Sequence, residues 1–476
     1  MRYLALACDY DGTLAHDGVV DDDTTRALER VLASGRRLLL VTGRELDDLL
    51  RVFPRVDLFD RVVAENGGLL YRPETKEELP LGDAPPVPFV EALRRRDVDP
   101  LSVGRVIVAT WHPNEDVVLE TIRDLGLELQ VIFNKGAVMV LPSGVNKASG
   151  LHAALAELGL SAHNAVGVGD AENDHAFLNL CECAVAVANA LPALKERCDL
   201  VTAADHGAGV VELAERLLAT DLEELEGELK RHDVLLGTRN GEEIRFPPYG
   251  RGLLVAGPSG SGKSSLAGGL LERLADAGYQ FCLVDPEGDY ESFAGAVVIG
   301  DAERAPRATE TLELLEHGEQ NVVVNLLGQP LDDRPGFFQG LLPQIQELRS
   351  RVGRPHWLVV DEAHHLLPSP WQPASETLPR ELGSMLLISV HPGAIAPAAL
   401  TAIDAVVAVG AGAEDVFRSF ADLHGLAPPT VGNRADGVLL WWAGDETAVP
   451  LEQPARERRL TAAGRAGDEK AAPIRR

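Results

Sequence analysis

The chain has 476 residues, enough for two or three domains that each bury a core. Lys and Arg number 44 against 73 Asp and Glu, and the formal net charge of −29 argues against a broadly basic nucleic-acid surface. Five cysteines (Cys8, Cys181, Cys183, Cys198, Cys282) form no paired CxxC set, the first apolar run is too short for a signal peptide, and no stretch approaches the ~18 apolar residues of a membrane span, so a reducing, cytoplasmic setting is expected.

Leu4 to Cys8 is an apolar run that reads as a buried strand. It stops at Asp9-Tyr10-Asp11-Gly12-Thr13. Successive side chains alternate along a strand, so Asp9 and Asp11 meet in one place only if the chain leaves the strand between them, and Gly12 permits that turn. In open α/β sheets ligands sit at this end of the strands. There one carboxylate can attack while its neighbour shuttles a proton.

Asp21 to Ser34 has a polar start and Leu28, Val31 and Leu32 at helical spacing, with Gly35 as the stop. Arg37–Val41 reads as a second buried strand ending in Thr42-Gly43-Arg44, and Leu46–Val52 as a helix. Val62–Ala64 reads as a third strand, followed by the turn Glu65-Asn66-Gly67-Gly68. From Pro73 to Pro142 the character changes. Prolines cluster at Pro80, Pro85, Pro86 and Pro88, and helices at Phe89–Arg96 and Asn114–Leu125 mix with short strands at Val106–Ala109 and Ala137–Leu141. This reads as an α+β insertion that covers something. Lys147–Leu158 is helical, Ala165–Val168 is a strand ending in Gly169-Asp170, and Cys183–Val187 and Leu200–Val201 are short strands.

Thr220 to His232 is strongly charged and reads as a helical linker, with a hairpin at Asn240-Gly241. A second strand-and-helix series starts at Leu253–Ala256 and continues through strands at Leu283–Val284, Val322–Asn325, Trp357–Val360, Leu386–Ser389 and Ala405–Val409, with Val438–Trp442 as an edge strand. From Arg456 the chain is charged, rich in Ala and Gly, and expected to be disordered. The fold class is therefore α/β. A Rossmann-like core is expected at 1–72 and 143–218, an α+β cap at 73–142, a linker helix and hairpin at 219–250, a P-loop domain with a mainly parallel sheet at 251–455, and a tail at 456–476.

Four signals in the first half recur in order: Asp9 to Thr13, Thr42 at the end of the next strand, Lys147 at a helix start, and Gly169-Asp170-Ala171-Glu172-Asn173-Asp174. Phosphoryl transfer needs charge compensation and alignment. A carboxylate facing a phosphate dianion needs a cation between them, and Mg²⁺ takes oxygen ligands. Asp9 and Asp170 would supply carboxylates and Asp11 a backbone carbonyl, with Thr42, Lys147 and Asn173 around the phosphate. Asp174 would hold Lys147 or a metal-bound water. With these residues the chain, over roughly 1–215, resembles the haloacid dehalogenase superfamily of phosphatases. The GDxxND form and the insertion between Thr42 and Lys147 are similar to its Cof-type branch, whose type-two cap sits there. The resemblance implies that Asp9 is a nucleophile forming an aspartyl-phosphate and Asp11 the general acid/base. Trp111, His112, Asn114 and Lys135 are cap candidates for substrate contact.

In the second half Gly257-Pro258-Ser259-Gly260-Ser261-Gly262-Lys263-Ser264 matches GxxxxGK[ST], between an apolar strand and a helix, with Ser265 next. Backbone N–H groups and the helix N-terminus suit phosphate, Lys263 suits the β/γ-phosphates of ATP, and Ser264 suits Mg²⁺. The strand Trp357–Val360 ends in Asp361 and Glu362, the first placed to hold Mg²⁺ through water and the second to polarise an attacking water. With Asp285-Pro286-Glu287-Gly288-Asp289-Tyr290 and the DEAHH run, residues 233–450 resemble ATPases of the HerA/FtsK group. That group places a polar sensor after the next strand, and His391 stands there. Arg418 and Arg434 are the candidates for an arginine finger, and oligomers would form through this domain.

Together the two constellations point to a bifunctional protein. An Mg²⁺-dependent phosphomonoester hydrolase, acting on a small phosphorylated metabolite through an aspartyl-phosphate, is joined to a domain that binds and hydrolyses ATP. Nucleic acid is not indicated and no membrane partner is expected. A second reading is a polynucleotide kinase–phosphatase. It would need an acid placed for a substrate hydroxyl and an arginine-bearing lid, whereas Asp361-Glu362 suits activation of water. A third reading makes the P-loop half a regulatory or assembly module that binds ATP without turnover.

Overall fold

The computed structural model describes residues 1–318, 320–369, 384–432 and 437–453. The chain divides into two compact units, Met1–Leu229 and a second that begins at Lys230. Residues 456–476 and Arg434 lie outside the described residues. Among those described, no helix is long and apolar enough to cross a membrane.

The first unit is built on an eight-stranded sheet. From one edge to the other its strands are Leu200–Val201, Cys183–Ala186, Ala165–Gly169, Ala5–Cys8, Arg37–Val41, Arg61–Ala64, Leu69–Arg72 and Glu77–Pro80. The first six run parallel, and the last two are added antiparallel. Ala5–Cys8 is central and all four of its residues are buried, as an apolar run between two parallel neighbours requires. Its carboxyl end therefore opens between the ends of Ala165–Gly169 and Arg37–Val41.

Glu77–Pro80 corrects the expected cap boundary. It pairs with Leu69–Arg72 in the core sheet although the sequence places it beyond Pro73. All four of its residues are exposed, so no hydrophobic alternation marks it. Beyond it lies an antiparallel sheet in the order Ser102–Val103, Val108–Trp111, Ala137–Pro142, Leu129–Asn134. Helices Val87–Arg95 and Glu115–Leu125 cover one face through Phe89, Leu93, Val118, Val138 and Val140. Ile107, Met139 and Leu141 are buried in a separate cluster.

The expected helix Thr220–His232 does not form. The helix His206–Thr220 ends where Asp221 and Leu222 both take left-handed φ (55° and 60°), and only one 3₁₀ turn, Glu223–Leu225, follows. Arg36 Nη2 donates to Asp221 Oδ1 at 2.8 Å and the Arg2 backbone N–H also donates to Asp221, so a tertiary pin overrides helix propensity.

The second unit holds a nine-stranded sheet. Its order is Ala296–Ile299, Asn321–Asn325, Phe281–Asp285, Trp357–Val360, Met385–Ser389, Leu253–Ala256, Ala405–Val409, Val438–Trp442, Val449–Pro450, the first seven parallel. Leu254 and Ala256 enter the core on one face, Leu253 and Val255 that on the other. Val438–Trp442 is not the edge strand expected, because Val449–Pro450 pairs outside it and its Leu439, Leu440 and Trp441 are buried. The hairpin Val234–Arg239/Glu242–Phe246 turns at Asn240 and Gly241, both at positive φ as the Asn-Gly pair suggests. It is not a free linker: Val234, Leu236 and Phe246 are buried in the second unit's core, and Arg273 Nε donates to Leu235 O at 2.6 Å.

Candidate functional site

Asp9 continues the central strand, its N–H donating to Val168 O at 3.0 Å, and its side chain is buried. The chain then turns sharply, with Gly12 at φ 88°. A Cβ at Gly12 would stand 2.3 Å from Asp170 Oδ2, so only glycine lets the two loops meet. Lys147 opens the helix Lys147–Glu157, whose start is capped by Asn146 accepting from Ala148 and Ser149 N–H. Its buried ammonium donates at 2.6 Å to Asp9 Oδ1 and at 2.6 Å to Asp174 Oδ1. Asp174 Oδ2 accepts from the Asp170 and Ala171 N–H groups at 2.8 and 2.9 Å, which ties the GDxxND loop to the lysine.

Ligand oxygens of Asp9, Asp170 and Asp174 all lie within 4.8 Å of one another. Burial, reinforced by Asp174 and Asp170 against the pull of Lys147, pushes Asp9 up to about 8. Burial raises Asp170 as well, opposed by Lys135. Burial works to depress Lys147, but Asp174 and Asp9 outweigh it and hold it above the ordinary lysine range. Hard oxygen donors crowded this closely suit a divalent cation such as Mg²⁺. A positive charge already stands on one of them: Lys135 Nζ contacts Asp170 Oδ2 at 2.6 Å.

Thr42 ends its strand fully buried, its Oγ1 accepting from Arg44 N–H at 3.1 Å. Asn173 donates to Asn66 Oδ1 at 3.0 Å. The structure thus gathers Asp9, Asp170, Asp174 and Lys147 as the sequence implies, and engages both oxygens of Asp174 with Lys147 and two backbone amides. Asp11 is half-exposed, and a residue that sequence reasoning passed over holds it. Arg44 forks onto it, Nε to Oδ2 at 2.7 Å and Nη2 to Oδ1 at 2.6 Å. The available signal was Arg44's place two residues after Thr42.

The turn Glu65-Asn66-Gly67 carries a second unforeseen contact. Glu65 is fully buried and its carboxylate accepts from Arg105, Val106 and Ile107 N–H at 2.9, 2.8 and 3.1 Å, three successive amides leading into the cap sheet. Of the cap candidates, Lys135 reaches the carboxylates. His112 instead pairs with Glu115 at 2.7 Å, Asn114 donates to Thr110 Oγ1 at 3.0 Å, and Trp111 is exposed.

In the second unit Gly262 (φ 102°) and Gly260 (φ 73°) shape the loop before the helix Lys263–Asp276. A Cβ at Gly257 would stand 2.1 Å from Val409 O, which fixes the loop against the neighbouring strand. Pro258, Ser259, Gly260 and Ser265 are exposed, Ser261 N–H donates to Pro258 O at 3.3 Å, and Lys263 Nζ folds back to the same carbonyl at 3.1 Å. Ser264 Oγ donates to Asp289 Oδ2 at 3.1 Å. Asp285 is the frame of that loop, its carboxylate accepting from Glu287, Gly288, Asp289 and Tyr290 N–H. Asp361 is buried and pushed up to about 8 by burial, with Glu362, Asp285 and Asp289 adding to it.

Glu362 sits at φ 39°, and burial and then Glu287 raise its pKa while Lys263 opposes them. His391, the expected sensor, donates its backbone N–H to Ser389 Oγ at 3.0 Å and presents its ring to the ring of His364. His364 Nδ1 lies 3.3 Å from Glu362 Oε2 and 3.1 Å from Ser389 Oγ. Burial, then His365 and His391, push His364 down to about 4, so its ring is neutral at neutral pH. Arg418 pairs with Asp415 at 3.0 Å on an exposed helix face.

A parallel sheet with acids at its carboxyl end and an α+β roof above them defines the first unit as a capped α/β hydrolase. The family described as haloacid dehalogenase-like hydrolase matches residues 6–81 and 103–213. The phosphoglycolate phosphatase of Methanothermobacter thermautotrophicus is 31% identical over 223 residues, covering 45% of this chain and 98% of its own. That of Haloarcula marismortui is 33% identical over 220 residues, covering 44% of this chain and 94% of its own. A solved haloacid dehalogenase-like hydrolase from Bacteroides thetaiotaomicron covers 45% of this chain and 99% of its own at 21% identity, with a TM-score of 0.41. The chain belongs to the haloacid dehalogenase-like hydrolases, and its first unit is a phosphatase. In the second unit residues 249–331 match the central domain of the helicase HerA, a P-loop ATPase-type family.

Proposed function

We propose that the first unit is an Mg²⁺-dependent phosphomonoester hydrolase working through an aspartyl-phosphate on Asp9, and that the second binds and hydrolyses ATP. The observation that carries the first half is the buried Lys147 bridging Asp9 and Asp174 beside Asp170. A divalent cation held by Asp9, Asp170 and the Asp11 carbonyl would offset the charge of the phosphate. Asp9 attacks phosphorus and the bond to the leaving oxygen breaks, with Asp11 supplying the proton that oxygen needs. Asp11 then takes a proton from water, which attacks the phosphorus and releases Asp9. Arg44 orients Asp11 for both steps. Lys147, Thr42 and Asn173 hold the phosphate oxygens, and Asp174 holds Lys147.

The substrate in this reading is a small phosphorylated metabolite, and the names of the relatives make phosphoglycolate the first compound to try. The test is Mg²⁺-dependent phosphate release from phosphoglycolate by the full chain. Asp9→Asn is expected to abolish it while ATP binding persists, and retained turnover would reject the nucleophile.

For the second unit, the exposed glycine loop suits phosphates, Ser264 with Asp361 suits Mg²⁺, and Glu362 suits water. A neutral His364 beside Glu362 adds no positive charge of its own to that carboxylate. Lys263→Ala is expected to remove ATP binding without loss of phosphatase activity. Glu362→Gln is expected to keep ATP binding and lose phosphate release. Unchanged release would leave a module that binds without turnover.

A further inference from the structure

Lys135 is the cap residue that touches the carboxylate cluster. It sits at the tip of the hairpin between Leu129–Asn134 and Ala137–Pro142, at φ 46°, followed by Gly136 at φ 90°. This left-handed pair reverses the chain in two residues and projects the lysine beyond the strand ends. Its Nζ lies 2.6 Å from Asp170 Oδ2 and 2.8 Å from where a Cβ on Gly12 would be. Asp170 is 1% exposed, so the ammonium caps a carboxylate that is otherwise out of solvent, while Lys135 itself keeps 46% of its side chain exposed. Where the hairpin comes down over the loop after Thr42, Met139 Sδ and Asn173 Nδ2 each lie 3.6 Å from where a Cβ on Gly43 would stand. A small substrate with a second negative charge would find the Lys135 ammonium as a partner there.

A divalent ion and an ammonium on one buried carboxylate repel each other. A divalent ion binding Asp9 and Asp170 meets the Lys135 ammonium as a like charge in a buried setting, and the flexible, half-exposed lysine is the one that can move. The freed ammonium then hangs over the metal site from the cap. Resting on the phosphatase reading above, we propose that Lys135 is a specificity-determining residue. It neutralises Asp170 while the site lacks its cation, and transfers to a carboxylate on the substrate when the cation arrives. The preferred substrates are then short phosphorylated carboxylic acids rather than sugar phosphates. Cation occupancy and substrate recognition are coupled through one side chain.

Titration calorimetry with MgCl₂ on the full chain tests the exchange, with Asp170→Asn as background. Lys135→Ala should tighten Mg²⁺ binding, by about tenfold if the lysine leaves the oxygen free about a tenth of the time. Lys135→Arg, which keeps the charge, should restore most of the wild-type affinity. In steady-state assays Lys135→Ala should lower the preference for phosphoglycolate over ethyl phosphate, mainly through KM. Equal Mg²⁺ affinity in wild type and Lys135→Ala, or an unchanged substrate preference, overturns the proposal. A wild-type chain that hydrolyses neither ester rejects the phosphatase reading itself; one that hydrolyses both with no response to Lys135→Ala rejects the role of Lys135 alone.

Discussion

Lys147 is the residue on which the first site turns. Its removal would leave Asp174 as a buried carboxylate beside Asp9 without its counter-ion, a loss that typically costs about 3–5 kcal/mol. Lys147→Ala is expected to lower the stability of the first unit by about that amount near neutral pH, and chemical denaturation followed by circular dichroism measures it. The sign of the pH dependence follows from Asp9, whose pKa is raised from 3.8 to about 8 on folding. A raised carboxyl favours folding fully below its unfolded value and loses that contribution as pH rises through the folded value, so the window is about 4 to 8. A divalent cation needs the ionised form. Mg²⁺ binding at pH 6 to 7 is therefore expected to release protons, read as calorimetric heats that differ between buffers of different ionisation enthalpy. Equal heats would rule out protonated Asp9. Asp9, Asp170 and Lys147 were legible in the sequence because each closes an apolar run or opens a helix. Arg44 and Lys135 were less legible as partners because which acid an arginine or lysine reaches depends on loops that only the fold brings together.

Among the elements, the helix Lys147–Glu157 shows how closely the site depends on packing. A Cβ at Gly150 would stand 2.4 Å from Val63 Cγ1 and 2.8 Å from Gly67 Cα. Gly150→Ala must push the helix off the sheet. The expected cost is about 1–3 kcal/mol, together with loss of phosphatase activity as Lys147 is displaced from Asp9; a denaturation midpoint and a phosphate-release assay measure the two. The buried parallel strands were readable because both faces are covered and their sequences are continuously apolar. Glu77–Pro80 was not, because its pairing is made by the backbone while its side chains face solvent. The stretch after Thr220 was misread for the opposite reason: helix-forming residues abound there, but Arg36 and the Arg2 amide hold Asp221 in a turn. His364 is not marked within the DEAHH run, because its contacts with Glu362 and Ser389 depend on how two strand ends meet.

At the scale of the whole molecule, the curated relatives match less than half of this chain. They cover 45% of this chain while nearly their whole length is matched. The first unit has its own core, running from Tyr3 to Leu229. Residues 1–229 expressed alone are expected to fold and to keep Mg²⁺-dependent phosphatase activity, measured against the full chain with and without ATP. Loss of activity on truncation would mean that the second unit completes the first.

The contact of Glu65 has a consequence for how the roof over this site moves. One buried carboxylate clasps the amides of residues 105–107, and the next residue, Asn66, grips the loop after Gly169 through Asn173. A lid fastened at such a point swings on a fulcrum instead of lifting free. Hydrogen–deuterium exchange should therefore stay slow at 105–107 while the hairpin tip at Lys135 exchanges quickly, and Glu65→Gln should let the fulcrum itself loosen.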